Sequence, residues 1–561
     1  MNKRTTMFKN YLKSTLRFLK HNKLFAGINV LGLSLALAAS FIILLFVINE
    51  FSYDQGYKNR KQIYRVLNTY HEFKITQLGT PYVLASALKS DFPQIEYTVR
   101  ARNMRGFSLK LNDEFIPVYQ ALATDSEIFD IFSLRLTGSK SNILDDPNSI
   151  VLSKKQAEKF FPDQNPVGKE IIGMANGNEQ LFVVKGVFED IPVNSTLQAD
   201  CFINSKWTLE PINQAFRVTN AETNWDLDFW TTWIMLKNGT DPASVESQFR
   251  NLEVKNISEN PPKSFSLQNL PDVYLRSDNI MNTGMKGNMK NIRIFSAIAL
   301  LIILVAAFNY IILSTAVSSG RTKEIGIRKT NGAAVKAIRN QLLGESVFLS
   351  LTVLPIAVTL ALIAKPYAEK LFQTKLYIIH SNILVYVLIY LLLTIIIGFA
   401  SGLYTSSYLS RLNIINILKN GSVSGRRKSL LRSSLIVVQL VIFCSFISGT
   451  LIIRSQYKFA LKKDLGYQNE NILLVNLGRN FKDYTVFINN IKSFPNIKTA
   501  AGTMDGLPML GSMTSMIPNF EDNTQKVKVE GLAVDYNFIE TMGIPVLQGR
   551  SFSEEFGGGP H

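Results

Sequence analysis

The sequence has few cysteines and histidines, the side chains that form disulfides and many catalytic or metal centres. It has two cysteines among 561 residues, Cys201 in a hydrophilic region and Cys444 in an apolar run, so no disulfide between them is expected. Its four histidines are dispersed and do not cluster at the spacing of metal ligands. No nucleophile–histidine constellation is evident either. These absences favour a non-catalytic chain without a metal site.

Acidic residues are scarce in three segments, and these segments carry the net charge of +17. Segments 1–23 and 406–434 contain basic residues and no acid, and segment 318–345 has six basic residues against two acids. All three adjoin long apolar runs, which is typical of the cytoplasmic flanks of membrane helices. A nucleic-acid surface would not be confined to such flanks, so no nucleic-acid partner is predicted.

Long apolar runs indicate a membrane protein. A hydrophobic content of 47% with a mean hydropathy of +0.10 fits a mixture of membrane spans and a large water-exposed domain. No Asp, Glu, Lys or Arg lies in the middle of a run, which argues against an ion relay and hence against a secondary transporter. A hydrocarbon core takes roughly 20 residues to cross. Five runs reach that length: Leu24–Asn49, Ile294–Val317, Ser346–Ala364, Ile383–Tyr404 and Leu435–Ile453.

The basic segments orient these spans. The first run is too long for the apolar part of a signal peptide, so an uncleaved anchor with a cytoplasmic N-terminus is predicted. The predicted fold class is a multi-pass α-helical membrane protein with a large α+β extracytoplasmic domain. The predicted parts are an N-terminal amphipathic helix and first span (1–50), the outer domain (51–293), a three-helix membrane domain (294–420), a fifth span (421–453) and the start of a second outer domain (454–561).

The outer region mixes strand and helix signals. Tyr82–Ser90 and Lys154–Phe161 are predicted helices, the second with Ser153 as its N-cap. Four runs rich in β-branched and aromatic residues are predicted strands: Gln62–Thr69, Tyr97–Asn103, Leu181–Val187 and Thr231–Lys237.

Two short segments recur at an offset of about 410. Asp54–Asn59 (DQGYKN) matches Asp464–Asn469 (DLGYQN), and Asp125–Asp130 (DSEIFD) is echoed by Asp535–Glu540 (DYNFIE). The first pair follows an apolar run in both copies. A common offset indicates a duplicated membrane unit. The second copy stops at His561, so it is expected to be truncated.

Two sets of residues allow both a functional and a structural interpretation. Asn309 is the clearest polar residue within a span; it could contact a substrate, but an interhelical hydrogen bond is favoured. Trp207, Trp225, Trp230 and Trp233 could line a ligand surface, but packing in the core of the outer domain is favoured.

Two basic elements border the spans. Lys9, Lys13, Arg17 and Lys20 form a stripe opposite an apolar face, which predicts a helix on the anionic inner leaflet in contact with membrane lipids. A simple topogenic charge cluster is the alternative. Between the second and third spans, a short charged helix ends at Asn331-Gly332 and a second helix carries Val335, Ile338 and Leu342 on one face. A soluble partner could bind this elbow and displace it, or the elbow could be an ordinary loop between two spans.

The elbow sequence RTKEIGIRKTNGA at 321–333 resembles the signature loop of MacB/FtsX-type ABC transporter permeases. FNY at 308–310 and LSTA at 313–316 fit the same family. Further resemblance lies in the outer region: SIVLS at 149–153, AEKFF at 157–161, NPVGK at 165–169 and VVKGVFEDIP at 183–192.

The resemblance implies a membrane subunit that works with a dimer of separate cytoplasmic ABC ATPases in the bacterial cytoplasmic (inner) membrane. ATP would be bound by that partner, because the chain contains no G-x-x-x-x-G-K-[ST] motif. Movements of the outer domain would serve efflux or the handling of lipoproteins or peptides, with a periplasmic adaptor as a further partner. The alternative is an FtsX-like regulator of a cell-wall hydrolase. The implied coupling residues are Arg321, Lys323, Glu324, Ile325, Gly326, Arg328, Lys329, Gly332 and Ala333.

Overall fold

The fold is known from a computed structural model of the chain. The stripe of Lys9, Lys13, Arg17 and Lys20 and the elbow residue Arg321 lie outside the described residues, so what the sequence predicts for them stays a prediction. The structure describes residues 23–138, 142–175, 177–282, 284–319, 322–376, 383–410, 426–468, 470–475, 477, 483–503, 513–518, 526–553 and 555.

The helices divide into long apolar ones and short ones that belong to the outer regions. In chain order they are α1 (Lys23–Phe51), α2 (Leu84–Asp91), α3 (Ile128–Ile131), α4 (Lys154–Phe160), α5 (Leu209–Phe216), α6 (Pro242–Glu246), α7 (Phe249–Asn256), α8 (Leu270–Val273), α9 (Met289–Ser319), α10 (Thr322–Thr330), α11 (Val335–Phe372), α12 (Ile383–Ser410), α13 (Arg426–Lys462), α14 (Tyr484–Lys492) and α15 (Phe538–Thr541).

All five apolar runs are helical, and among the described residues four of these helices are long and apolar enough to cross a membrane. They contain the stretches Gly27–Phe51, Met289–Ser314, Val335–Phe372 and Ser433–Lys462. The fifth helix, α12, contributes the shorter apolar stretch Leu384–Ala400. The helices extend beyond several predicted ends; α13 continues to Lys462, whereas its apolar run was predicted to end at Ile453. That all five cross the membrane remains a prediction.

Helices α1, α9, α11 and α12 pack into one bundle. The crossing of α11 and α12 is close, because Gly398 and Gly402 of α12 lie against Ser350 and Ser346 of α11. Small residues four apart let helix backbones approach in this way. The bundle core contains Leu33, Leu37, Val353, Ala357, Tyr390 and Ile397.

Helices α9 and α13 make two further contacts. Asn309 of α9 faces α1 at Gly32, where its Nδ2 would lie 3.6 Å from an added Cβ; this position fits the packing interpretation. Helix α13 contacts α9, and none of its apolar window is buried.

The outer domain is built on one mixed sheet of fifteen strands. Pairs β7–β12, β9–β11 and β2–β15 are parallel and the other pairs are antiparallel. The strands are β1 (Ile63–Tyr70), β2 (Ile75–Gln77), β3 (Thr80–Pro81), β4 (Ile95–Asn103), β5 (Ser108–Leu111), β6 (Glu114–Pro117), β7 (Ala121–Thr124), β8 (Leu136–Thr137), β9 (Ser149–Ser153), β10 (Glu170–Ala175), β11 (Asn178–Phe188), β12 (Cys201–Asn204), β13 (Asp228–Leu236), β14 (Lys263–Asn269) and β15 (Ile280–Met281). A separate hairpin, β16 (Met513–Pro518) and β17 (Lys526–Gly531), lies after α13.

The strand and helix predictions for the outer domain are confirmed by β1, β4, β11, β13, α2 and α4. Ser153 caps α4, since its Oγ accepts a hydrogen bond from the Gln156 amide at 3.3 Å. Among the tryptophans, Trp230 and Trp233 are buried in the core, as the packing interpretation requires, and Trp207 and Trp225 are half-buried against it.

The two cysteines lie in the separate environments predicted for them, Cys201 buried in β12 and Cys444 exposed on α13.

Candidate coupling sites

The elbow lies at the end of α9 that is remote from the outer domain. Helix α10 ends in a left-handed turn: Gly332 has φ +85°, its amide donates to the Lys329 carbonyl at 3.1 Å, and the Ala333 amide donates to the Arg328 carbonyl at 3.0 Å. Paired bonds of this kind close a helix C-terminus and favour glycine at the left-handed position. The helix stop predicted at Asn331-Gly332 is therefore confirmed, and it sets the angle between α10 and α11.

Most of the predicted coupling residues lie on α10. Lys323 and Glu324 occupy its first turn, and Ile325 and Gly326 are buried. Arg328 donates to Gln341 Oε1 of α11 at 3.1 Å, and Gln341 Nε2 donates to Glu345 Oε1 at 3.1 Å. These bonds connect the elbow to the base of α11.

The elbow has two exposed apolar residues, of which the sequence analysis did not single out Ile327. Ile327 is 58% exposed on α10 and Val335 is 50% exposed at the start of α11. The second helix contains Val335, Ile338 and Leu342 as predicted; Ile338 and Leu342 are buried, whereas Val335 is exposed. From the sequence, helical geometry could have indicated only that Ile325 and Ile327 lie on different faces of α10, because two residues correspond to about 200° around a helix.

A second site lies where α1 meets the outer domain. Asp54 is 2% exposed, and its Oδ1 accepts hydrogen bonds from the Thr196 amide at 2.8 Å and from Ser195 Oγ at 3.1 Å, while its Oδ2 accepts one from Thr196 Oγ1 at 2.7 Å. Ser195 Oγ also lies 2.7 Å from the hydroxyl of Tyr57. We call this group, together with Ser52 and Asn194, the Asp54 joint.

Burial dominates the electrostatics of the joint. It raises the pKa of the Asp54 carboxyl, against the opposing effect of the bonds from Thr196 and Ser195. Arg65, also 2% exposed, acts on Asp54 through its charge, and burial lowers the pKa of its guanidinium to about 10. Arg65 donates to Gln268 Oε1 at 2.6 Å and to Ser277 Oγ at 3.1 Å. Both buried charges are thus solvated by neutral polar groups.

The same end of α1 also contacts the segment that leads into α9. Tyr274 donates its hydroxyl to Glu50 Oε1 at 3.1 Å, and its ring stacks on Tyr53 with centroids 3.5 Å apart. Gly287 lies so close that an added Cβ would be 2.4 Å from the Tyr274 ring. The two chain crossings between the bundle and the outer domain are therefore held side by side.

A cavity of the outer domain is lined in part by carboxylates that already have hydrogen-bond partners. It has a volume of about 530 Å³ and lies between α7 and β14 beside His71 and Arg250. Its carboxylates are engaged with the sheet edge, since Glu253 accepts the Phe265 amide at 2.7 Å and Glu246 accepts the Leu267 amide at 3.1 Å. Within the described part of the chain, no three His, Cys, Asp or Glu residues are grouped so as to hold a metal ion.

The fold and the two sites define a class of protein, a helical membrane bundle that carries a large α+β domain on one side and a charged elbow on the other. Residues 26–252 match the model of the MacB-like periplasmic core domain, and residues 296–414 match that of the FtsX-like permease C-terminal domain. The chain belongs to the MacB/FtsX-type ABC transporter permeases.

Two solved structures are similar to part of the chain at low sequence identity. The periplasmic region of MacB from Actinobacillus actinomycetemcomitans is 13% identical, with coverage of 38% of this chain and 90% of that one and a TM-score of 0.28. The extracellular domain of the noncanonic ABC-type transporter YknZ from Gram-positive bacteria is 16% identical, with coverage of 37% and 100% and a TM-score of 0.26. No curated protein matches the chain.

Proposed function

We propose that the chain is a membrane subunit that couples ATP hydrolysis by a separate cytoplasmic ATPase to movements of its outer domain. The observation that carries this proposal is the elbow, where two exposed apolar residues stand among exposed basic side chains on an element bonded to α11. Such a surface suits a soluble protein with an apolar pocket and an acidic rim. ATP is bound by that partner, and this chain contributes the mechanical link to export or to the handling of lipoproteins or peptides.

The elbow variant Ile327→Asp is expected to weaken binding of the partner ATPase by about thirtyfold or more, since truncation of a central interface residue commonly removes about 2 kcal/mol or more. The matched control is Val254→Asp, which places the same charge at an apolar residue 40% exposed in the outer domain. Co-purification and titration of the ATPase against the detergent-solubilised chain measure the effect. Equal binding by both variants would show that α10 is only a connector.

Gly332→Val should act on the same binding through the backbone. A β-branched residue at φ +85° is strained although the space around the missing Cβ is open, so the angle between α10 and α11 must change. If the variant keeps an intact membrane bundle but binds the ATPase more weakly, the effect comes from the elbow and not from misfolding.

We further infer that the chain carries a duplicated unit, and the local geometry of the C-terminal segment supports the inference. Helix α15 repeats α3 at an offset of 410, and Gly543 (φ +59°) repeats the left-handed turn of Ser133 (φ +50°) at the same offset. Both turns are closed by equivalent backbone bonds: Leu134 to Phe129 at 2.9 Å and Ile544 to Ile539 at 2.9 Å.

A second correspondence lies just before these turns. The Arg100 amide donates to Asp125 Oδ2 at 3.3 Å, and the Gly502 amide donates to Asp535 Oδ2 at 2.8 Å. The next residues form antiparallel pairs in both places, Ala101 with Thr124 and Thr503 with Val534. The carboxylates keep the offset of 410, whereas the strand residues have an offset of 402. Eight fewer residues before Gly502 and eight more between Thr503 and Val534 in the second copy would account for both offsets.

The membrane topology can be tested by cysteine labelling in intact cells. We expect Asp113→Cys in the β5–β6 turn and Lys375→Cys after α11 to react with an impermeant maleimide, and Lys336→Cys at the elbow to react only after permeabilisation, because the basic segments retain the elbow in the cytoplasm. Cys444→Ser supplies the background, since Cys201 is buried. External labelling of Lys336→Cys would overturn the orientation with a cytoplasmic N-terminus.

A further inference from the structure

The Asp54 joint connects two segments that are far apart in the chain. Ser52, Asp54 and Tyr57 follow α1, whereas Asn194, Ser195 and Thr196 lie in the loop between β11 and β12. Besides the bonds to the Asp54 carboxylate, the Asp54 amide donates to the Asn194 carbonyl at 2.9 Å. Asn194 Nδ2 in turn donates to the Ser52 carbonyl at 3.1 Å and to Ser52 Oγ at 3.0 Å. Both segments therefore contribute backbone groups and side-chain groups to these hydrogen bonds.

The Asp54 joint connects α1 to both halves of the sheet. After Asp54 the chain enters β1, which lies in one half of the sheet beside β13 and β14, whereas β11 and β12 lie in the other half beside β9. The outer end of α1 is thus covalently joined to one half and hydrogen-bonded to the other. The Asp54 bonds therefore give α1 a direct connection to the half of the sheet that it otherwise reaches through the strand path β1-β13-β4-β7-β12.

The chemistry of the joint suits such a contact. The Asp54 carboxylate is buried and accepts three hydrogen bonds, and bonds to a charged acceptor are stronger and shorter than those between neutral groups. Asp54 also has φ +58°, a left-handed conformation that is uncommon outside glycine and needs support from its surroundings. A rigid joint with little freedom to slip follows from both features.

We propose that Asp54 is the positioning residue through which displacement of α1 becomes displacement of the whole outer domain, with Thr196 as its principal partner. This inference rests on the proposed ATPase coupling. Its tests are the variants Asp54→Asn, which removes the charge at nearly constant size, and Thr196→Val, which removes only the hydroxyl. Thr196→Ser keeps the hydroxyl and serves as the conservative control.

The measurement is the ATP-dependent distance between the outer domain and the bundle in the complex of the full chain with its ATPase. Spin labels at Asp113→Cys, whose side chain is 97% exposed, and at Tyr367→Cys on α11, 72% exposed, report that distance in the Cys444→Ser background. The second control is Asp228→Asn, which neutralises an aspartate of the outer domain whose side chain is 5% exposed and pairs with Lys263. It measures the effect of destabilising the domain without touching the joint.

In the parent chain and in the Thr196→Ser and Asp228→Asn variants we expect ATP to shift the distance. In Asp54→Asn and Thr196→Val we expect the shifted population to fall about tenfold or more, because a buried hydrogen bond to a charged group is lost, while binding of the ATPase remains unchanged. A full distance shift in Asp54→Asn, or an equal loss in Asp228→Asn, would overturn the joint and leave the coupling function intact. A parent chain that binds no ATPase would instead overturn the coupling function, and the joint with it.

Discussion

Gly398→Val is expected to disrupt the crossing of α11 and α12 and to prevent formation of the native bundle in a large fraction of the protein. A Cβ at this position would lie 2.2 Å from Ser350 Oγ and 3.0 Å from the Cα of Val347. The serine could rotate away, but the backbone of α11 cannot, and valine adds two further methyl groups. Overpacking of this kind costs about 1–3 kcal/mol or more, and here the helices must separate to relieve it.

The matched control for Gly398→Val is Gly449→Val on α13. Both glycines lie within long apolar helices, so the change in helix propensity is the same, but nothing lies within 4 Å of a Cβ at Gly449. Thermal unfolding and the monodisperse fraction in detergent should show a large loss for the first variant and little change for the second. Gly398→Ala should lie between them. An equal loss at both positions would mean that propensity, rather than the crossing, is responsible.

Lys263→Met is expected to be the most destabilising change in the outer domain. The Lys263 ammonium, 1% exposed, contacts both carboxylate oxygens of Asp228 at 2.8 Å, and Asp228 also accepts bonds from Asn68 and Tyr70. Removing the cation leaves a buried carboxylate without a counter-charge. Such a loss costs about 3–5 kcal/mol.

A comparable but exposed pair provides the control for Lys263→Met. Lys255 contacts Asp91 at 2.9 Å with side chains 65% and 31% exposed, so Lys255→Met should cost about 0.2–1 kcal/mol. Urea unfolding can be followed by tryptophan fluorescence, because all four tryptophans lie in the outer domain. Adding Asp228→Asn to Lys263→Met removes the unpaired charge and should recover part of the loss. A loss for Lys263→Met as small as that for Lys255→Met would contradict the argument.

The parts of the fold that depend on local patterns were predictable. Apolar runs of sufficient length must become helices in a membrane, since their backbone groups have no other partner there. The stop at Gly332 was predictable because glycine readily adopts positive φ, and the cap at Ser153 because a serine oxygen can satisfy a free helix amide. These features depend on a few neighbouring residues and need no knowledge of the remaining chain.

The contacts that join distant segments were not predictable. Asp54 stood out in the sequence only as part of a repeated segment, and nothing near it indicates that Ser195 and Thr196, more than 140 positions away, would bond its carboxylate. The same holds for Gly398, which must lack a side chain because Ser350 lies close to it, and for Lys263, whose partner is Asp228. Such pairs arise only when strands and helices are placed, which is a property of the topology.

By itself the sequence determined that this protein has apolar helices flanked by basic segments, a large outer α+β region, and an elbow with a helix stop, because composition and short-range periodicity decide these features. Tertiary structure alone decided which elbow residues are exposed, how α1 is tied to both halves of the outer sheet, and where helix backbones meet. The reason is physical: hydrophobicity and backbone propensity act over a few residues, whereas burial and hydrogen-bond partners depend on segments that come together only in the folded chain.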